Sequence, residues 1–371
     1  MRSTIIDINV NNLNHNLLQI EKFSNTAKII PIIKANAYGH GLTEIAHNLS
    51  SPRIAMLGVA FAEEALLLRD SGETRDILII VPPEIEEIEE LLNNDITFTL
   101  GRLELLPKIN EIAKKLNQVA KIHIFINTGM NRDGITPEEM SINGDIFAKY
   151  NHINFEGICS HFATSEFSDK SFILNQFDNF NKVLTLSSNY HNQFKYIHIA
   201  NSAAIINFPE SIFNAVRPGI ALYGLMPEKK FADEMNLKPI LSLKSKVKKI
   251  QKLHNGDTAG YSFHFISNKD TQIAVIPIGY GDGYSCEFAN NSECLINGMR
   301  FPLVGSICMD QILADIGNAH INVGDEVVLI GSQGSEEITV YDLAKRINTI
   351  PYQITTSLLS RIPRIYRNGN V

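Results

Sequence analysis

Along the first two thirds of the chain, short runs rich in Ile, Val and Leu alternate with longer stretches whose apolar residues recur every three or four positions. The run at 29–41, IIPIIKANAYGHG, heads the series. β-branched and closed by glycines, it reads as a buried strand passing into a loop, with Lys34 where the strand ends. Before it, TIIDIN at 4–9 predicts a short strand and 12–23 a helix. After it, helices are predicted near 42–49, 61–71, 83–93, 102–116, 137–149, 168–188 and 202–207. Strands are predicted between them at 54–60, 77–81, 96–100, 121–127, 153–162, 196–201 and 215–224.

Counted from residue 29, this makes about eight strands alternating with helices, the signature of a parallel sheet and specifically of a (β/α)8 TIM-type barrel. A doubly wound open sheet is the competing arrangement. The strand count favours closure, as does the placement of Lys34, Arg132, His161, His198 and Arg217 at or just beyond predicted strand C-termini. That is the face on which barrels carry their chemistry. The polar segment 227–238 lacks periodicity and reads as a linker. From Pro239 the runs become short, β-rich and punctuated by glycine, followed by a helix at 341–348 and the terminal SLLSRIPRIYR. The expected division is therefore a barrel over 1–236 and a C-terminal, mostly-β domain over 237–371.

Charge and cysteine content narrow the classes. With 33 Lys+Arg against 40 Asp+Glu the net charge is −7, so no basic face for nucleic acid is implied and a small-molecule substrate is expected. Cys159, Cys286, Cys294 and Cys308 are widely spaced, with no C-x-x-C pair, which points to free thiols in a reducing cytoplasm rather than a disulfide scaffold or zinc ribbon. The start, MRSTIIDINVNNL, lacks a signal peptide's apolar centre, and no uncharged run is long enough to cross a bilayer. His161 and His198 lack H-x-H spacing and nearby carboxylates, so no metal site is expected.

An amine at the mouth of an apolar strand loses solvation, which favours its neutral form and makes Lys34 a candidate nucleophile toward a carbonyl; a strand-end lysine also snorkels to water. Eight segments sharpen the choice: IIKANAYGHG at 32–41, NTGMNRDGI at 127–135, SHFATSE at 160–166, HIANSAA at 198–204, AVRPGIALYG at 215–224, AGYS at 259–262, IPIGYGDGY at 276–284 and VGSICMDQ at 304–311. In identity, order and separation they resemble the alanine racemase family, pyridoxal 5′-phosphate (PLP) enzymes that join a barrel to a β domain.

The resemblance implies that Lys34 holds PLP covalently and then acts as one of two bases, with Tyr261 as the other. Racemisation takes a proton from one face of Cα and returns one to the opposite face, so bases on both sides are needed. A tyrosine near its reference pKa of about 10 is a poor base at neutrality without cationic surroundings, which the family supplies through His161 and Arg217. Taken alone, Tyr261 reads equally well as a packed strand aromatic. Arg217 matches the arginine facing the pyridine nitrogen. A guanidinium cannot accept a proton and so leaves that nitrogen neutral, where an acidic partner, as in related barrel decarboxylases, would protonate it. Tyr38, Asn201 and Ser202, with the amides of Gly219 and Ile220, match the cofactor and phosphate contacts. Arg132 and the Met309 amide match the carboxylate contacts, and Tyr280 the substrate entrance. A homodimer is implied too, with Tyr261 and the Met309 loop contributed by the second subunit.

Three positions depart from the family. Phe125 stands where some members carry a carbamylated lysine that orients the arginine, so Arg132 needs another acceptor, with Asn127 or an anion as candidates. Ser360 is matched to a phosphate-site tyrosine, and Ser306 stands where many members have arginine.

Overall fold

The computed structural model describes residues 2–143, 146–187 and 194–368. Its contacts divide into two compact units, one of 13–37 and 42–238, the other of 1–12, 38–41 and 239–371. The expected cut between 236 and 237 therefore misses two insertions: the first twelve residues and the tetrapeptide Tyr38–Gly41 belong with the C-terminal half.

The larger unit is a closed parallel barrel. Leu57–Val59, Ile77–Ile79, Thr97–Leu100, Ala120–Phe125, Ile153–Cys159 and Tyr196–His198 form a six-stranded parallel sheet. Lys28–Ile29 pairs with Ala215–Val216. Bridges from Ile29 to Ile54, Ile32 to Gly58 and Asn201 to Arg217 join this pair to both edges of the six, so eight strands close the ring. Leu57–Val59, Ile77–Ile79 and Thr97–Leu100 are buried at every position, the last including two threonines, which is why they read without a polar face: one face fills the barrel and the other meets the helices. The helices bury a single stripe, as in Leu106–Lys115, where Leu106, Ile109 and Ala113 point inward.

Several helices differ from their predicted extent. The 137–149 segment holds two short helices, Pro137–Ile142 and Ile146–Lys149, with 144–145 outside the described residues. The long helix runs Ser171–Leu186; residue 188 of its predicted span lies outside the described residues as well. The expected linker 227–238 contains a helix, Lys229–Glu234. It forms because Phe231, Ala232 and Met235 bury one side while Lys229 pairs with Asp233 one turn on, at 2.6 Å.

The second unit is mostly β. A seven-stranded sheet contains, in order, Met299–Pro302, Glu293–Ile296, Glu326–Gln333, Leu241–Lys246, Ile5–Asn9 and Arg364–Arg367, with Glu336–Ile338 paired to Glu326–Gln333. The N-terminal strand thus lies between strands more than 230 residues away in sequence, antiparallel to one and parallel to the other. Lys249–Leu253, Thr271–Ile276 and Ile312–Asp315 make a separate three-stranded sheet. Two late helices, Val340–Arg346 and Pro351–Thr356, complete the unit. Among the described residues no helix is long and apolar enough to cross a membrane.

Candidate active site

The strand carrying Lys34 does not pass into an irregular loop. Lys34–Tyr38 is a left-handed turn: Ala35, Asn36, Ala37 and Tyr38 all have φ between 52° and 54°. Each non-glycine residue held there costs about 1–2 kcal/mol, so the turn needs fixed partners. Ala37 N–H donates to the Ile33 carbonyl at 2.8 Å, the Asn36 side chain accepts from Leu42 N–H at 2.9 Å, and Glu64 accepts from Ala35 N–H at 2.6 Å and Ala60 N–H at 2.7 Å. Lys34 is thereby aimed by a rigid collar. Burial lowers its pKa, the positive charges of Arg132 and Arg217 lower it further, and Glu64 opposes them.

Arg217 lies at the centre of this end of the barrel, 6% exposed. One terminal nitrogen donates to His198 Nδ1 and, at 2.8 Å, to the His198 carbonyl. The other donates to the Ser160 carbonyl and stands 3.2 Å from His161 Nδ1. Burial, followed by the charges of Arg217, Arg132 and Lys34, pushes His161 down to about 3, so its ring is neutral and can accept from Arg217. Lys34, Arg132, His161 and Arg217 thus share one electrostatic neighbourhood.

Asn201 caps the helix Ser202–Asn207 by accepting from Ala204 N–H at 3.0 Å, and it accepts from Ser165 at 2.9 Å. The Ser202 hydroxyl accepts from Gly219 N–H at 2.8 Å and from Ala221 N–H at 3.3 Å, which leaves its own proton to donate. The Gly219 N–H, expected to point at the cofactor phosphate, is directed here at the Ser202 hydroxyl; Ile220 begins the adjoining 3-10 turn and is buried.

The Arg132 loop is shaped by Asn127, whose side chain accepts from Gly129 N–H and Asn131 N–H, each at 3.1 Å. Asn127 therefore organises the loop backbone and is not the acceptor for Arg132. Arg132 is exposed, and Asp133 is its ion-pair partner at 3.9 Å. Phe125, the last residue of the strand before this loop, is buried.

Sequence reasoning missed a polar cluster behind the loop. Gln176, fully buried, donates to the His161 carbonyl at 3.0 Å and to Thr128 at 3.3 Å, and accepts from Ala163 N–H at 2.9 Å. The available signal was a glutamine on the same helical stripe as Ile173 and Phe180.

The remaining expected residues belong to the second unit. Tyr261, 70% exposed, sits on a turn in which Gly260, Ser262 and Phe263 all have positive φ. Ser306, at the position of the family's arginine, donates to the Tyr261 carbonyl at 3.3 Å and lies 2.9 Å from His264 Nδ1, so it braces this turn. Tyr280 and Met309 lie on interlocked loops: Tyr280 N–H donates to the Cys308 carbonyl at 3.0 Å and Gly281 N–H to the Met309 carbonyl at 2.9 Å. Arg361 ties them further by bonding the Gly281 carbonyl at 3.0 Å and Asp310 at 2.7 Å. Tyr38 is buried with its ring 5.9 Å from that of Tyr352. Ser360 is exposed; the aromatic ring standing beside Tyr38 is that of Tyr352, eight residues upstream.

A (β/α)8 barrel that gathers a partly desolvated lysine, a buried arginine and a neutral histidine at its C-terminal face has the form of a barrel enzyme. The comparisons specify which one. The family model for the alanine racemase N-terminal domain matches residues 8–227, and that for the C-terminal domain matches 240–366. The alanine racemase of Carboxydothermus hydrogenoformans is 38% identical over 368 residues, covering 99% of this chain and all of that protein. An alanine racemase structure from Clostridium difficile 630 superposes with a TM-score of 0.93 at 36% identity, covering 98% of this chain and 96% of the other. Another from that organism, in complex with cycloserine, gives 0.91 at 35%, covering 100% and 98%. The chain belongs to the alanine racemase family.

Proposed function

We propose that this protein interconverts L-alanine and D-alanine with PLP bound at the barrel mouth, supplying D-alanine for peptidoglycan in the cytoplasm. The observation that carries the reading is the Lys34 amine, lowered in pKa and collared in a left-handed turn beside two guanidinium groups. The donor set suits the cofactor: an amine for its aldehyde, Arg217 for its ring nitrogen, and the Ser202 hydroxyl for its phosphate. What bound PLP supplies is acidification of the substrate's Cα–H.

The chain's own groups do the rest. Lys34 takes or returns the proton on one face of Cα and Tyr261 on the other. Arg217 has no site to accept a proton, so it leaves the pyridine nitrogen neutral, weakens the electron sink and favours prompt reprotonation over transamination. Arg132 and the Met309 N–H hold the substrate carboxylate, and Tyr280 lines the entrance. Tyr261, Phe263, Ile266, Tyr280 and Met309 are all exposed large side chains of the second unit, which supports a homodimer in which each supplies the other's site.

The test combines visible absorbance with coupled D-alanine oxidation for wild type, Lys34→Ala and Tyr261→Phe. Lys34→Ala is expected to lose both the lysine-bound cofactor band and activity. Tyr261→Phe keeps the band, loses racemisation in both directions, and still exchanges the α-hydrogen of one enantiomer with solvent deuterium. Exchange of both enantiomers at wild-type rates would refute the two-base assignment.

A further inference from the structure

The ladder between Ala120–Phe125 and Ile153–Cys159 skips a residue: Ile122 faces Phe155, whereas His123 faces Gly157. Glu156 is the extra residue of this bulge, and bulges re-aim side chains. Gly157 makes room, since a Cβ there would come within 2.8 Å of three atoms of the His123 ring. Glu156, 7% exposed, consequently faces His123, with Oε2 3.8 Å from Nε2. Neither atom has a hydrogen-bond partner among the described residues. His123 Nδ1 lies 2.8 Å from His198 Nε2, and His198 Nδ1 meets Arg217.

Proton positions along this row follow from its ends. A guanidinium only donates, so His198 Nδ1 accepts and the His198 proton sits on Nε2. That proton is directed at His123 Nδ1, which must also accept, leaving the His123 proton on Nε2 facing the carboxylate. Glu156, a carboxylate that only accepts, lies 3.8 Å beyond that proton and is compatible with the same arrangement. The two ends agree, so the row has one direction.

We infer that Glu156, His123 and His198 form a directed relay through the barrel interior that positions Arg217 and counterbalances its buried charge. Glu156, His123 and His198 are positioning residues, since they act through Arg217. Burial, reinforced by Arg217, keeps both imidazoles neutral, the Glu156 charge opposing this at His123. Burial pushes Glu156 up, but its contacts with His123 and with Lys195 at 3.0 Å outweigh this and hold it at about 2. The effect on catalysis rests on the reading of Arg217 given above.

The relay is tested with 15N spectra of the histidine-labelled full-length protein at pH 7.5, assigned through His123→Gln and His198→Gln. Both rings should be neutral and protonated on Nε2. A doubly protonated ring, or one protonated on Nδ1, would overturn the relay. Gly157→Ala should displace the His123 ring and give His123 a mixture of tautomers, while His198, still held by Arg217, keeps its proton on Nε2; an unchanged single tautomer at His123 would count against the relay. Glu156→Gln should lower kcat for alanine by about threefold to thirtyfold with KM within about twofold, and Glu156→Asp should recover part of the loss. An unchanged kcat in Glu156→Gln would overturn the influence on Arg217. Absence of racemisation in the wild type would instead refute the functional reading, with the spectra still deciding the relay.

Discussion

The two units hold their functional groups in opposite ways. In the barrel, Arg217 is almost inaccessible and its donors meet His198, Ser160 and His161 within the same unit. In the β unit, Tyr261, Tyr280 and Met309 are 70%, 44% and 51% exposed. There the backbone is fixed, by Ser306 at the Tyr261 carbonyl and by Arg361 at the Gly281 carbonyl, while the side chains stand free of their own unit. Preorganisation in the barrel is electrostatic and interior. In the β unit it concerns loop shape at a surface, which is what a side chain needs if it completes a site on another copy.

The largest expected contrast comes from a matched pair. Arg217→Met removes a buried donor and leaves the Ser160 carbonyl and His198 Nδ1 unmatched, so unfolding free energy should drop by about 3–5 kcal/mol and activity should vanish. Tyr261→Phe should reduce racemisation by about 10²- to 10⁴-fold, yet leave the denaturant midpoint where it was, because the lost hydroxyl is on an exposed ring. Paired denaturation and rate measurements check both. Equal destabilisation by the two substitutions would erase the contrast.

A smaller effect distinguishes the units by pH. His123 and His198 are fully buried, and burial lowers both from 6.5. The unfolded chain therefore binds protons that the folded barrel refuses, and stability falls as pH drops below 6.5. The loss grows progressively between pH 7.5 and 5.5, and His161, pushed down to about 3, adds to it. Hydrogen exchange of peptides from Ala120–Phe125 and Tyr196–His198 should accelerate relative to those from Thr271–Ile276 over this range, after correction for intrinsic exchange. A uniform response would show that the buried histidines are not its source.

The same contrast explains what could be read from the sequence. Barrel strands were legible because burial on both faces writes largely apolar runs, and the shared neighbourhood of Lys34, Arg132, His161 and Arg217 because these residues follow those runs directly. The sheet position of Ile5–Asn9 was not, since pairing partners more than 230 residues distant leave no local mark. The left-handed turn at Lys34–Tyr38 was hidden because no glycine precedes Gly39; its conformation is imposed by Glu64 and the Ile33 carbonyl. Glu156 sat inside what read as an ordinary strand. Its only trace was a carboxylate beside a glycine in a mostly apolar run. Tyr352 carried no signal in the sequence, and only its packing against Tyr38 places it.

The 227–238 segment supplies the smallest prediction and shows how the linker reading went astray. Six of its twelve residues are charged, PEKKFADEMNLK, and so many charges obscure a single buried stripe. The stripe is short: Phe231, Ala232 and Met235 are buried, and Lys229 to Asp233 closes the exposed side at 2.6 Å. Because both partners of that pair are exposed, Lys229→Ala should lower stability by only about 0.3–0.5 kcal/mol. Phe231→Ala should cost about 3–5 kcal/mol, as expected for an emptied aromatic site. Guanidinium titrations of the two variants would separate these magnitudes. If the lysine change proved as damaging as the phenylalanine change, surface charge rather than the buried stripe would be what folds this helix.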